Sequence, residues 1–174
     1  MTRPDLPKWG PLSVSMGEKP KATPIFVKRL FSDERLSVGP TDGSPIVSAT
    51  DVFGSINHNF VDWGINDHGP PTEETPLAIS KIVADGKLSE VLSAFGGDLE
   101  RRYWWPSQVK EFSLQRRDKL RPRGGVTFFP LTRMFVAGVV IMFNDELSVN
   151  VYRDDRDAPI WSAKHSHWIV VPVY

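Results

Sequence analysis

The chain has 174 residues, 21 Lys plus Arg against 21 Asp plus Glu, 40% hydrophobic residues and no cysteine. That length suits one domain able to bury roughly 70% of its unfolded surface, so neither disulfides nor a structural metal is needed for folding. Without cysteine, thiolate catalysis, Cys-ligated zinc, iron–sulfur clusters and a secreted disulfide scaffold are excluded.

The balanced charge is unevenly laid out. Residues 1–29 carry six bases and two acids, residues 30–100 three bases and twelve acids, residues 101–123 eight bases and two acids, and residues 124–174 four bases and five acids. The basic block at 101–123 suits anionic partners such as nucleic-acid phosphates or lipid headgroups. It equally suits a solvated face that pairs with the chain's own acidic stretch.

In chain order, residues 1–24 hold five prolines (Pro4, Pro7, Pro11, Pro20, Pro24), which rules out a continuous helix. A flexible Pro-rich N-terminal arm over residues 1–23 is expected, followed by a single α+β domain over residues 24–174. The opening Met1–Lys8 lacks the apolar core of a signal peptide. Pro24–Phe31 is a strand candidate, and Gly39-Pro40 with Asp42-Gly43-Ser44-Pro45 marks a loop. Ser48 or Thr50 can cap a helix carrying Val52, Phe53, Ile56, Phe60, Val61 and Trp63 at three- and four-residue steps, ending near Gly64. A second helix is expected from Thr72 or Thr75 to Gly86, with Leu77, Ile79, Ile82 and Val83 as its stripe. A third, over Leu88–Phe95, closes at Gly96-Gly97.

Leu99–Arg123 reads as an exposed connector with one short element. Beyond Gly124-Gly125, four runs are rich in β-favouring residues: Val126–Phe129, Met134–Phe143, Leu147–Tyr152 and Trp168–Tyr174. Asn144-Asp145-Glu146 supplies a tight turn, and Tyr152–Asp157 a polar hairpin tip. The longest apolar run, Met134–Phe143, is about half the ~20 residues that a membrane-crossing helix needs. The expected architecture is α+β, with helices packed on one face of a mostly antiparallel sheet.

Catalytic signatures are weak. His165 and His167 share one strand face and would need a carboxylate to hold a metal or support hydrolysis. His58 and Asp62, four apart on a helix, can hydrogen bond. No nucleophile elbow, phosphate loop or dinucleotide fingerprint is present, and Asp154, Asp155 and Asp157 lack the glycine and glutamate of a calcium loop. A non-enzymatic protein with no cofactor and no metal is expected.

The segment that stands out is aromatic and basic: Arg101, Arg102, Trp104 and Trp105, continued by Lys110, Arg116, Arg117, Lys119, Arg121 and Arg123. Tryptophan favours membrane–water interfaces and stacks on bases, while the cations serve lipid headgroups or phosphates. Trp104 and Trp105 can alternatively be core residues.

The order of parts resembles the matrix proteins of rhabdoviruses, closest to the plant-infecting members in length. The resemblance is carried by the Pro-rich arm, the first strand Pro24–Phe31, the segment Ser48-Ala49-Thr50-Asp51-Val52-Phe53-Gly54-Ser55-Ile56-Asn57-His58, and Leu88–Gly97. It continues through Val136–Phe143, Leu147–Asp155 and Ala158-Pro159-Ile160-Trp161-Ser162. It implies a virion structural protein beneath the envelope and in the host cytoplasm. Such a protein self-associates, binds nucleocapsid protein or RNA, and holds the nucleocapsid to an anionic membrane surface without spanning it. The arm, with Trp9, Leu12, Val14 and Met16, would serve self-association, and residues 101–123 would form the contact loop. Two features depart from that family: the chain is neutral where its members are commonly basic, and Pro70-Pro71-Thr72-Glu73 lacks the tyrosine of a Pro-Pro-x-Tyr motif. The alternative is a small cytoplasmic binding module, of inhibitor or immunity type, that meets a basic partner through Asp62, Asp67, Glu73 and Glu74.

Overall fold

The run Thr75–Ile82, expected as a helix, is β4, the longest strand of an eight-stranded sheet and the one next to its edge strand Val27–Leu30. Leu77 and Ile79 enter one apolar cluster, whereas Ala78 and Ile82 enter the other, on the opposite face. A strand covered on both sides reads as a nearly unbroken apolar run, so its two-residue period is hidden and a helical spacing can be read into it. The structure, a computed structural model, describes residues 25–154 and 162–173.

On one side β4 pairs antiparallel with β8 (Trp168–Pro172). Its other side is shared: β1 (Val27–Leu30) lies along its C-terminal half and β2 (Leu36–Val38) along its N-terminal half. β1 follows the sequence expectation, and β2 is an unforeseen addition. From β8 the sheet continues through β5 (Thr127–Pro130), β6 (Phe135–Ile141) and β7 (Leu147–Arg153) to the short edge strand β3 (Ser55–Ile56). The four late strands therefore form as their composition requires. Pairings are antiparallel except β5–β8 and β3–β7, so the sheet is mixed.

The helix expected over residues 48–64 is replaced by a 3-10 turn (Ile46–Ser48), β3 and a one-turn helix α1 (Asn59–Asp62). The backbone at Gly54 and Asn57 is drawn away from helix and bonded to β7, through Gly54 N–H to Leu147 O and Asn57 N–H to Val149 O, both at 2.9 Å. A β-carbon at Gly54 would lie 2.6 Å from the Glu146 carboxylate, so a larger residue there would have to displace that side chain. The spacing of Phe53 and Phe60 does report burial, but two separate turns deliver them to the core.

Helix α2 (Leu88–Ser93) forms where expected, followed by Gly96 and Gly97 at positive φ. Its first turn is closed by Lys87 N–H donating to Glu90 Oε2 at 2.8 Å. Helix α3 (Pro106–Gln115) begins with a proline at a position that needs no N–H, and Trp105 N–H donates to Gln108 Oε1. Most of α3 is buried, because Val109 and Phe112 pack into the core, so the connector expected to be exposed is a core element.

The helices are not gathered on one face. Phe60 of α1 and Val109 and Phe112 of α3 join the cluster that holds Ile79, Phe129, Ala137 and Val170. Leu88, Val91 and Leu92 of α2 cover the opposite face, against Phe128, Val136 and Ile169. The fold is α+β, with a mixed sheet covered on both sides. The arm (residues 1–23, with Trp9, Leu12, Val14 and Met16) and residues 155–157 of the Tyr152–Asp157 tip lie outside the described residues.

Candidate functional site

The basic-aromatic block is divided rather than contiguous. α3 separates its two halves by roughly 15 Å, at 1.5 Å per helical residue. At the start of α3, Trp104 is 2% exposed, its indole N–H donates to Val170 O at 2.8 Å, and its ring meets Phe129 edge-on. Trp104 is thus core and is corrected as a surface-binding residue. Trp105, by contrast, is 45% exposed. Arg102 is half-buried and clamps the end of α2 to β8, donating to Pro172 O at 2.8 Å and Phe95 O at 3.3 Å. Arg101 is exposed and faces Asp98 at 3.8 Å. Lys110, midway along α3, is half-exposed and contributes to holding the Asp42 carboxyl below its usual value; the larger cause there is the Ser44 backbone N–H.

Past the end of α3, the cations tie three turns together. Arg116 Nε donates to Ser37 O, Arg121 Nε donates to Ser166 O, and Lys119 pairs with Glu34 at 2.7 Å while lying over the Phe31 ring. Arg117 donates to the carbonyl of Asp145, and Arg123 pairs with the Asp145 carboxylate. Bonds to carbonyls leave the guanidinium charge unneutralised. The stretch 116–123 therefore sets five cations against one acid of its own, Asp118, and the two paired acids Glu34 and Asp145.

Asp145 belongs to the β6–β7 turn, where it takes a positive φ and its N–H donates to Met142 O. At the same turn Phe143 is 90% exposed and Met142 43%. These two residues are the functional candidates missed in the sequence. The available signal was an apolar run reaching two residues past the last paired position, Ile141, into a turn that is ordinarily polar.

A second feature occupies the opposite end of β6. There Trp63 and Phe135 stack with ring centroids 5.7 Å apart at 28°, and Trp105, resting on Gly69, faces the same groove. Trp104 forms part of the lining with Ile65 and Leu131, and Asp67 stands at the edge; the volume is about 210 Å³. The Asp67 carboxylate has no hydrogen bond or ion pair within the described residues.

The remaining acidic and imidazole candidates are dispersed. Asp62 pairs with exposed His58 at 3.3 Å, and Glu74 accepts from the Ser37 hydroxyl, while Glu73 is on the surface. His165 and His167 do lie together, with ring centroids 5.4 Å apart, but His167 Nδ1 accepts the Val126 N–H. Among the described residues no group of three or more His, Asp or Glu side chains is placed to hold a metal ion, and no helix is long and apolar enough to cross a membrane. Burial, the neighbouring His165 and Arg121 together hold the His167 imidazole below its ordinary pKa. Compared with known protein families, curated proteins and solved structures, the chain shows no significant match to any of them.

Proposed function

We propose that this chain is a non-enzymatic assembly protein of matrix type. It docks peripherally on an anionic membrane surface through the β6–β7 hairpin, associates with further copies of itself, and links the membrane to a nucleocapsid partner. The observation that carries the reading is Phe143, 90% exposed at a turn whose Asp145 is held by both Arg117 and Arg123. An apolar tip with two guanidinium groups bonded to its turn suits the headgroup boundary: the ring enters the acyl edge while the cations remain among phosphates. The binding determinants are accordingly Met142, Phe143, Arg117, Arg121 and Arg123, with Arg116 and Lys119 behind them, rather than the whole of 101–123. The resemblance to rhabdovirus matrix proteins supports the assembly role, and the arm at residues 1–23 is assigned to self-association.

The test is co-sedimentation with phosphatidylserine-containing and pure phosphatidylcholine vesicles at low and high salt. Capture by the anionic vesicles alone, weakening with salt, is expected. Full burial of a phenylalanine is worth roughly 1.5–3 kcal/mol, so Phe143→Ser should lower the vesicle affinity about tenfold or more. Equal capture of both vesicle types, or no effect of Phe143→Ser, sinks the membrane reading.

A further inference from the structure

The groove at the start of β6 has the wrong charge for the partners that suit the hairpin. None of its lining residues is Lys, Arg or His, and its one ionisable group is the unpartnered Asp67 carboxylate. The wall that carries Trp63, Ile65 and Asp67 belongs to residues 36–80, which contain six acids and no Lys or Arg. The lining thus offers no cation of its own to a phosphate or an anionic headgroup. The walls themselves are aromatic, with Trp63 37% and Trp105 45% exposed above buried Trp104.

We infer that this groove is a docking site for an arginine side chain presented by a protein partner. A guanidinium is planar and weakly hydrated, so it stacks on indole and phenyl faces while its N–H fork bonds to a carboxylate. The Trp63–Phe135 stack and Trp105 supply the faces, and Asp67 supplies the acceptor. The volume of about 210 Å³ lies below the 300 Å³ or more typical of small-molecule pockets, and it matches one inserted side chain better than a cofactor. Location points the same way. β6 runs seven residues from Phe135 beside the groove to Ile141 beside the hairpin turn, a span of about 20 Å at the usual strand rise. With the hairpin on a membrane, the groove faces away from it, towards a partner in solution. The inference does not depend on that membrane reading, because the groove chemistry stands without it.

The experiment is a titration of the full chain, labelled with 15N, with the peptide acetyl-Gly-Arg-Gly-amide and its neutral citrulline counterpart, following the indole N–H signals. The arginine peptide should move the Trp63 and Trp105 signals and leave Trp168, which packs on Phe31 away from the groove, in place. Asp67→Asn should weaken that binding about threefold or more, the worth of an exposed ion pair of good geometry. The unmoved Trp168 signal reports that this variant is folded. Citrulline moving the signals equally, Asp67→Asn leaving arginine binding unchanged, or no shift with either peptide overturns the assignment.

Discussion

The two ends of β6 expose aromatic side chains to opposite electrostatic effect. At the hairpin, exposed Phe143 shares its turn with two bound guanidinium groups; at the groove, Trp63 and Trp105 share the lining with a lone carboxylate. The same kind of apolar surface is thereby directed at partners of opposite charge, and a neutral chain can serve both because its charges are segregated along the sequence. Trp104 and Trp105 show how narrowly such roles divide. They are adjacent, yet one forms part of the core and the other a wall.

The sharpest break of the comparison is therefore at that dipeptide. Trp104→Ala removes a buried ring together with its hydrogen bond to Val170 O, and should cost about 3–5 kcal/mol in urea unfolding, a typical figure for a large aromatic cut to alanine in a core. Trp105→Ala should cost about 1 kcal/mol or less, since nearly half of the residue is already in water. Equal losses would mean that Trp105 is a second core residue and that the groove wall is an incidental surface.

Arg101 and Arg102 offer a second, smaller contrast. Arg102→Met strips the donors from Pro172 O and Phe95 O and should destabilise by about 1–3 kcal/mol. Arg101→Met breaks an exposed pair at 3.8 Å and should change stability by less than about 0.5 kcal/mol. Both variants should keep vesicle binding, because neither residue lies at the hairpin. Loss of binding in either would restore the whole segment 101–123 as the contact surface.

At the hairpin itself, Arg117→Gln and Arg123→Gln should each reduce capture by anionic vesicles about fivefold at low salt and little at high salt, at roughly 1 kcal/mol per cation near an anionic surface. The groove titration should be unaltered in both. A parallel loss at the two ends would show that they are coupled or that the variants are unfolded, which the Trp168 indole signal decides.

What the sequence made legible follows from how many faces each element buries. The four late strands were readable because β-favouring runs are separated by clear turn signals, and Asn144-Asp145 takes the turn geometry its composition favours. α2 was readable from its apolar positions and the two glycines that end it. β4 was not, because burial on both faces erases alternation. Residues 48–64 were misread because helical spacing was satisfied by Phe53 and Phe60 arriving from two turns around a glycine bonded to β7. The basic block was visible as charge, but its division by α3 and the clamping of Arg102, Arg116 and Arg121 onto carbonyls are tertiary facts. The groove was the least visible of all, since Trp63 with Asp67, Trp105, and Phe135 come from three separate stretches that only the tertiary fold brings together.

The smallest expected effect separates the two ends by pH. His167 lies beside Arg121 and His165, with its Nδ1 accepting from Val126 N–H, so its neutral form is the one built into the fold. Its pKa is lowered from 6.5 in the folded chain, so below 6.5 the unfolded chain takes up a proton that the folded chain resists. The stabilisation is complete above that value and is lost as pH falls through it towards the lowered folded pKa. His167→Gln keeps an acceptor for Val126 N–H and removes the titration, so its urea midpoint should fall less than that of the parent between pH 7.5 and pH 5. An unchanged pH slope in the variant would rule His167 out as the source. Because His167 packs against Phe128 and precedes Trp168, acid should perturb the Trp168 indole signal before those of Trp63 and Trp105, whose groove has no histidine in its lining. Simultaneous change at all three would mean that the acid response is global unfolding, and that the two ends do not respond independently.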